Sequence, residues 1–208
     1  MFKPCYELKL EIPSNFKERV DSIWNDIKNT NRKYRQPEAL YSEYPELWDI
    51  LGPLKKWFAP KVRVINHTTD DLGTSAIHLD VNEHYQYENI SEDAITQCAL
   101  NVPLFKPVGD ITKWWRQKNP DVIMPADFWI GDGKDFSTAK TNNNIYDMEC
   151  IDEFEIKENP VLFRTGIWHS CEQANSTVRT MLSFYAHYTI DWDTLVSTAL
   201  KNDLLIER

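Results

Sequence analysis

Val161-Leu162-Phe163-Arg164-Thr165-Gly166-Ile167-Trp168-His169 is an apolar, strand-like run. The polar, turn-like Gln173–Ser176 follows it, and a second apolar run opens at Val178 and continues to Thr189. Two such runs joined by a turn, with no helix between them, read as antiparallel β-structure. Upstream, the same character recurs in Lys61–His67, Thr74–Asp80, Ala94–Val102, Phe128–Ile130 and Ile151–Ile156, all short and rich in β-branched or aromatic residues. A succession of short strands without intervening helices predicts an antiparallel sandwich or barrel rather than βαβ units. Two connections are long, Val81–Asp93 and Gly131–Asp147. Loops of that length in a compact domain are usually functional or disordered, and the second is a candidate lid.

The first sixty residues have a different period. Residues 5–12 alternate, with Tyr6, Leu8, Leu10 and Ile12 on one side of an expected strand. Pro13-Ser14 then opens a helix in which Phe16, Val20, Ile23, Trp24 and Ile27 recur at helical spacing, with Ser14 as the expected N-cap. A second helical stretch begins near Pro45, carries Leu47, Ile50 and Leu51, and is interrupted by Gly52-Pro53. Residues 191–206 predict a closing amphipathic helix. One domain over 1–208 is the simplest organisation: a helical support to about residue 60, a β core over about 61–190, and a C-terminal helix over 191–208.

Composition narrows the function. The 208 residues carry 23 Lys+Arg against 32 Asp+Glu, a formal charge of −9. That balance argues against a nucleic-acid partner, which wants a basic face. No apolar run is long enough to span a bilayer, so no membrane association is expected. Met1–Glu7 lacks the apolar segment of a secretory signal. Cys5, Cys98, Cys150 and Cys171 are scattered without a CxxC, which fits free thiols in a reducing cytoplasm better than zinc or disulfide chemistry. The expected setting is cytoplasmic, and the composition does not fix an oligomeric state.

Three candidate metal ligands and one arginine carry the chemistry. In His78-Leu79-Asp80, period-two alternation points His78 and Asp80 to the same side of a strand, so both can bind one ion. A lone HxD arises by chance fairly often, and a surface His-Asp pair is the bland alternative. His169 strengthens the case, at the end of its apolar run. If the chain turns as a hairpin near Ala174-Asn175, Arg179 returns alongside His169, one or two strand spacings from the metal. Two histidines and a carboxylate on one face leave open positions, the arrangement of non-haem Fe(II) oxygenases. A guanidinium beyond them suits a bidentate grip on a carboxylate.

In His78-x-Asp80, the distal His169 and Arg179 ten residues after it, the chain resembles the 2-oxoglutarate/Fe(II)-dependent dioxygenase superfamily. The resemblance covers about residues 60–190. Around Trp168–Ser183 it is most similar to the prolyl- and aspartyl/asparaginyl-hydroxylase-like branches. It implies a mainly β fold with flanking helices, a double-stranded β-helix (jelly roll, cupin-like). It implies catalytic Fe(II) held by His78, Asp80 and His169, with 2-oxoglutarate as cosubstrate, its far carboxylate paired with Arg179. The implied reaction is hydroxylation of a small-molecule or peptidyl substrate, with release of succinate and CO2.

The chain also departs from the pattern. The Arg-x-Ser pairing of some small-molecule oxidases is absent, because Met181 stands in that place. Ser183 has the parity of Arg179 four residues along, and Asn101 is the best candidate for touching the chelating carboxylate; both are candidate cosubstrate contacts. Arg164 is a second guanidinium, with an exposed position on the opposite strand face as its bland reading. His84, Tyr85 and Tyr87 could contact substrate, Trp114-Trp115 could wall the cavity, and His67 and His187 read as structural. Two alternatives stand beside the oxygenase: a non-catalytic jelly-roll binding module, and a cupin-like metalloprotein that uses no keto acid.

Overall fold

Period-two alternation governs most of the chain after residue 57 in the computed structural model of the protein. The structure describes residues 3–29, 38–67, 77–81, 98–104, 109–119, 126–130, 137–141, 147–173, 179–187 and 189–206. Strands β1 (Cys5–Glu7), β2 (Glu38–Leu40), β3 (Phe58–His67), β5 (Ala99–Pro103), β10 (Val161–Phe163) and β12 (Arg179–Ala186) form one six-stranded sheet, in the order β1-β10-β5-β12-β3-β2. Strands β4 (His78–Val81), β6 (Asp110–Gln117), β7 (Ala126–Ile130), β8 (Ser137–Thr141), β9 (Met148–Glu155) and β11 (His169–Gln173) form a second, in the order β7-β8-β4-β11-β6-β9. Every pairing in both sheets is antiparallel. From β3 to β6, and again from β9 to β12, each strand lies in the opposite sheet from the one before it.

Alternation divides the first sheet into two chemically distinct faces. Val62, Val64, Leu100, Val102, Leu182 and Phe184 join a core with Phe16, Val20 and Ile23 of helix α1 (Phe16–Asn29). Leu47, Trp48, Ile50, Leu51 and Leu54 of the 3₁₀ segment Pro45–Trp57 and Leu195, Val196 and Ala199 of helix α2 (Trp192–Lys201) complete it. Each fully buried Leu or Val contributes about 1.5–3 kcal/mol, so this face anchors the helices. The residues between them, among them Arg63, Asn101, Met181 and Ser183, belong to the other face. There Met181, Val161, Phe163 and Cys5 pack with Trp114 of β6, joining the two sheets.

Local chemistry explains the ends of the helices. Arg19 N–H donates to Asn15 C=O at 3.1 Å, which makes Asn15, one residue after the expected Ser14, the residue whose carbonyl starts the four-residue ladder of α1. Gly52 bends the 3₁₀ segment at φ 50° and ψ −128°, a backbone that glycine tolerates best, directly before Pro53. Asp191 caps α2, its carboxylate accepting from Thr194 N–H at 2.6 Å.

The sequence boundaries need three corrections. The strand expected over 5–12 is only Cys5–Glu7 plus an isolated bridge, Leu8 to Leu205, and Ile12 is 37% exposed. The N-terminal sixty residues are not purely a helical support, because β1 and β2 are edge strands of the first sheet. The connection Gly131–Asp147 contains β8, whose Ser137-Thr-Ala-Lys-Thr141 has no hydrophobic signal and is held by pairing to β4 and β7. Most of Val81–Asp93, with His84, Tyr85 and Tyr87, lies outside the described residues.

The two ends of the described chain meet. Lys9 N–H donates to Leu204 C=O at 2.7 Å, Ile206 N–H to Glu7 C=O at 2.9 Å, and the Trp192 indole N–H to Lys3 C=O at 3.1 Å.

Candidate metal centre

β4 lies between β8 and β11, and its His78 stands directly opposite His169 in register. His169 is the first residue of β11 and also pairs with Trp114 of β6, so it is fixed from both sides. The imidazole rings of His78 and His169 lie 4.3 Å apart between centroids, inclined at 52°. His78 Nε2 is 3.9 Å from Asp80 Oδ1. One ligand atom from each of His78, Asp80 and His169 lies within 4.8 Å of the other two.

The surroundings fix how these groups would bind. His169 Nδ1 lies 2.9 Å from Ile167 C=O, and a carbonyl can only accept, so Nδ1 carries the proton and the Nε2 lone pair is left for an ion. Phe163 meets the His169 ring edge-on at 5.2 Å and packs against Trp114 at 4.9 Å; the Trp114 indole donates to Arg164 C=O at 3.0 Å. His169 is 3% exposed and Asp80 6%. Burial, and then the neighbouring His78, hold the His169 pKa well below the usual imidazole range, although the Ile167 carbonyl opposes this. The neutral ring is the form that ligates. Burial raises the Asp80 pKa, opposed by His78 and then Arg63.

Two nitrogen donors and one carboxylate oxygen suit a borderline divalent ion such as Fe(II) or zinc, and do not resemble a thiolate or all-oxygen set. Such a set leaves coordination positions open for exogenous ligands.

The remaining candidates lie on the first sheet. Ser183 of β12 pairs with Asn101 of β5 on one side and Arg63 of β3 on the other, so the three form one cross-strand row. Asn101 is 6% exposed and Ser183 1%, and Asn101 Oδ1 is buried without a hydrogen-bond partner. Arg179, the first residue of β12, pairs with His67 of β3.

The expected hairpin between His169 and Arg179 is therefore not formed. β11 belongs to the second sheet and β12 to the first, so the connection crosses between sheets. The physical reason is that both neighbours of β11 are already taken, by β4 and β6, while β12 fills the slot between β3 and β5. Trp114 and Trp115 also separate, as neighbours on a strand must. Trp114 packs between the sheets, whereas Trp115 joins Ile77 and Met148 and donates its indole N–H to Ser170 Oγ at 2.9 Å. Arg164 is half-buried, not exposed, with its Nε buried and without a partner. His187 is exposed, its backbone N–H donating to Trp57 C=O.

Sequence reasoning passed over Arg63 and Tyr185. Arg63 is only 7% exposed, and its guanidinium lies 5.0 Å from the centre of the Tyr185 ring. Burial and the charge of Asp80 push the Tyr185 phenol up to about 12, against the opposing effects of Arg63 and of hydrogen bonding to Ser183 and Arg63. The signal was present in the alternation: Arg63 interrupts Val62 and Val64 on the parity of Ser183's partners, and Tyr185 shares that parity.

No family model matches the chain, and no curated protein does. Among solved structures it is similar to the non-heme alpha ketoglutarate dependent carbocyclase SnoK from nogalamycin biosynthesis, at 7% identity and a TM-score of 0.53, over 88% of this chain and 79% of that one. At that identity the likeness is one of fold.

Proposed function

We propose that the protein is a non-haem Fe(II)- and 2-oxoglutarate-dependent oxygenase on a double-stranded β-helix, acting on a small-molecule or peptidyl substrate. The observation that carries this reading is the convergence of His78, Asp80 and His169, with their ligand atoms within 4.8 Å, between two antiparallel sheets. The alternation of successive strands between the sheets and the likeness in fold to an alpha ketoglutarate dependent enzyme support it.

The donor set fits Fe(II). His169 is oriented by its bond to Ile167 and held neutral by burial, and Asp80 contributes the one negative charge among the three ligands. When bound, iron and 2-oxoglutarate supply O2-dependent oxidation of a substrate C–H bond, coupled to release of succinate and CO2. The chain's part is to hold the ion, select the keto acid and exclude water. In this reading Arg179 takes the far carboxylate of 2-oxoglutarate. Its register position lies four residues along β12 from Ser183, roughly 13 Å at the usual strand rise. Ser183 and Asn101, buried on the neighbouring strands, would contact the keto acid nearer the ion. Phe163 and Trp114 pack a dry wall against His169.

The test is anaerobic addition of Fe(II) and 2-oxoglutarate to the protein. The expected result is the visible charge-transfer band of a chelated keto acid, followed on admission of O2 by succinate formation even without substrate. Absence of both would overturn the reading.

A further inference from the structure

The segment Arg164–Trp168 carries the chain from β10 in the first sheet to β11 in the second, and its carbonyls do unusual duty. Two of them accept from β6: Arg164 C=O from the Trp114 indole N–H at 3.0 Å, and Trp168 C=O from Trp115 N–H at 2.8 Å. Two others hold candidate ligands: Thr165 C=O accepts Asp80 N–H at 3.4 Å, and Ile167 C=O accepts His169 Nδ1–H at 2.9 Å. Among the described residues β4 and β11 pair only at His78 and His169, so on that side of β4 Asp80 is held by Thr165 rather than by β11. Side chains fix the segment from two directions. Ile167 packs in the cluster of Trp114 and Phe163, and Trp168 in that of Trp115 and Ile77. One short segment therefore ties two ligands, which stand on different strands, to β6.

We infer that Arg164–Trp168 is a strap that sets the spacing of Asp80 and His169, and that Trp114 is a positioning residue that acts on the metal centre through the Arg164 carbonyl. The inference deepens the oxygenase reading and rests on it for the role of the ion. Trp114 is fully buried and stands opposite His169 in register, with Phe163 packed against both rings. Its indole N–H can only donate and the Arg164 carbonyl can only accept, so the bond has one polarity. Without that N–H the strap is released at its β10 end, and the Thr165 and Ile167 carbonyls are no longer presented at fixed positions. Binding an ion then includes the cost of ordering the strap. Linkage makes the coupling reciprocal: an ion that holds Asp80 and His169 together also holds the strap on β6.

The experiment uses the full chain and Zn(II) alone, with neither keto acid nor O2. In calorimetry Trp114→Phe should weaken Zn(II) binding by about tenfold or more. Ser170→Ala, which removes a buried hydrogen bond on the other face of β11, should leave it near wild type. Benzothienylalanine at position 114, an indole isostere without the N–H, should reproduce the loss. At saturating Zn(II), NMR should show a sharp His169 Nδ1–H resonance in the wild-type protein and one broadened by exchange in Trp114→Phe. A last readout needs no variant. Zn(II) should slow hydrogen exchange of the Trp114 indole N–H by about tenfold more than that of Trp48, whose indole donates to Ala59 C=O in the helical core.

Wild-type Zn(II) affinity in Trp114→Phe would overturn the inference. An equal loss in Trp114→Phe and Ser170→Ala would make Trp114 a packing residue and overturn it as well. Wild-type affinity with the isostere would assign the effect to the volume of the ring rather than to its N–H, with the same result. Should the variants fail to fold, exchange in the wild-type protein decides, and equal slowing at Trp114 and Trp48 would sink the strap. Each of these outcomes leaves the oxygenase reading intact, since that reading is tested by the keto-acid band. Failure of the wild-type protein to bind Zn(II) would remove both.

Discussion

His169 stands directly opposite His78 across the β4–β11 pairing, with ring centroids 4.3 Å apart. The two ligands that lie 91 positions apart in the chain are therefore fixed by one cross-strand pair, while Asp80 reaches the same point by being two residues along β4. Removing one imidazole should cost most of the metal affinity. His78→Ala and His169→Ala are each expected to lose Zn(II) or anaerobic Fe(II) binding by about 100-fold or more in calorimetry, and to yield no succinate. Wild-type affinity in His169→Ala would contradict this.

Acid should destabilise the metal-free protein through His169. Its folded pKa is held well below the unfolded value of about 6.5, so between the two the unfolded chain binds a proton that the folded chain refuses. Stability therefore rises with pH through this window, by up to about 1.4 kcal/mol per pH unit, and levels off above about 6.5. Burial of Asp80 acts in the opposite direction above its unfolded value of about 3.8, because its raised pKa makes the folded state the better proton acceptor. Urea titrations of the metal-free protein from pH 7 to 5 should show the slope, and His169→Gln should flatten it.

Ser170 supports the centre from the other face of β11. It is fully buried and accepts the Trp115 indole N–H at 2.9 Å. Ser170→Ala leaves that donor buried and unpaired, at a cost of about 1–3 kcal/mol. Denaturant unfolding should record the loss, while Zn(II) affinity should stay close to wild type, since His169 keeps its bond to Ile167.

The four cysteines should react in order of access. Cys150 is exposed, whereas Cys5 and Cys98 are fully buried, and burial, together with the charge of Asp191, pushes the Cys98 thiol up. A thiol reagent on the native protein should modify Cys150 first and leave Cys5 and Cys98 untouched until unfolding. Rapid native labelling at Cys98 would contradict its burial in the core, with its thiol at the Ile190 carbonyl ahead of α2.

Much of this was legible in sequence because alternation records which face a residue occupies. The strands whose apolar faces pack on the helices, β3, β5 and β12, stand out for that reason. β11 and β8 did not, since His169-Ser-Cys-Glu-Gln173 and Ser137-Thr-Ala-Lys-Thr141 are strands by virtue of their neighbours rather than their own propensity. The same limit explains Arg179. A ten-residue interval after His169 is visible in the chain, but whether the connection turns within a sheet or crosses between sheets depends on which slots other strands occupy. Arg63 was overlooked because a single arginine between valines reads as solvent-facing unless the opposite face is known to be covered.

The seam between residues 7–9 and 204–206 has a consequence for biosynthesis. On the ribosome, a nascent chain that has exposed residue 186 has every described strand of both sheets, and the last of the three candidate ligands, His169, outside the tunnel. Lys9 and Glu7 still lack the partners they find at Leu204 and Ile206. The residues of the metal centre are thus all available earlier in synthesis, while β1 receives its clasp only once Leu204 and Ile206 emerge. A tag or stalled translation that holds back those residues would leave the first sheet open at its β1 edge.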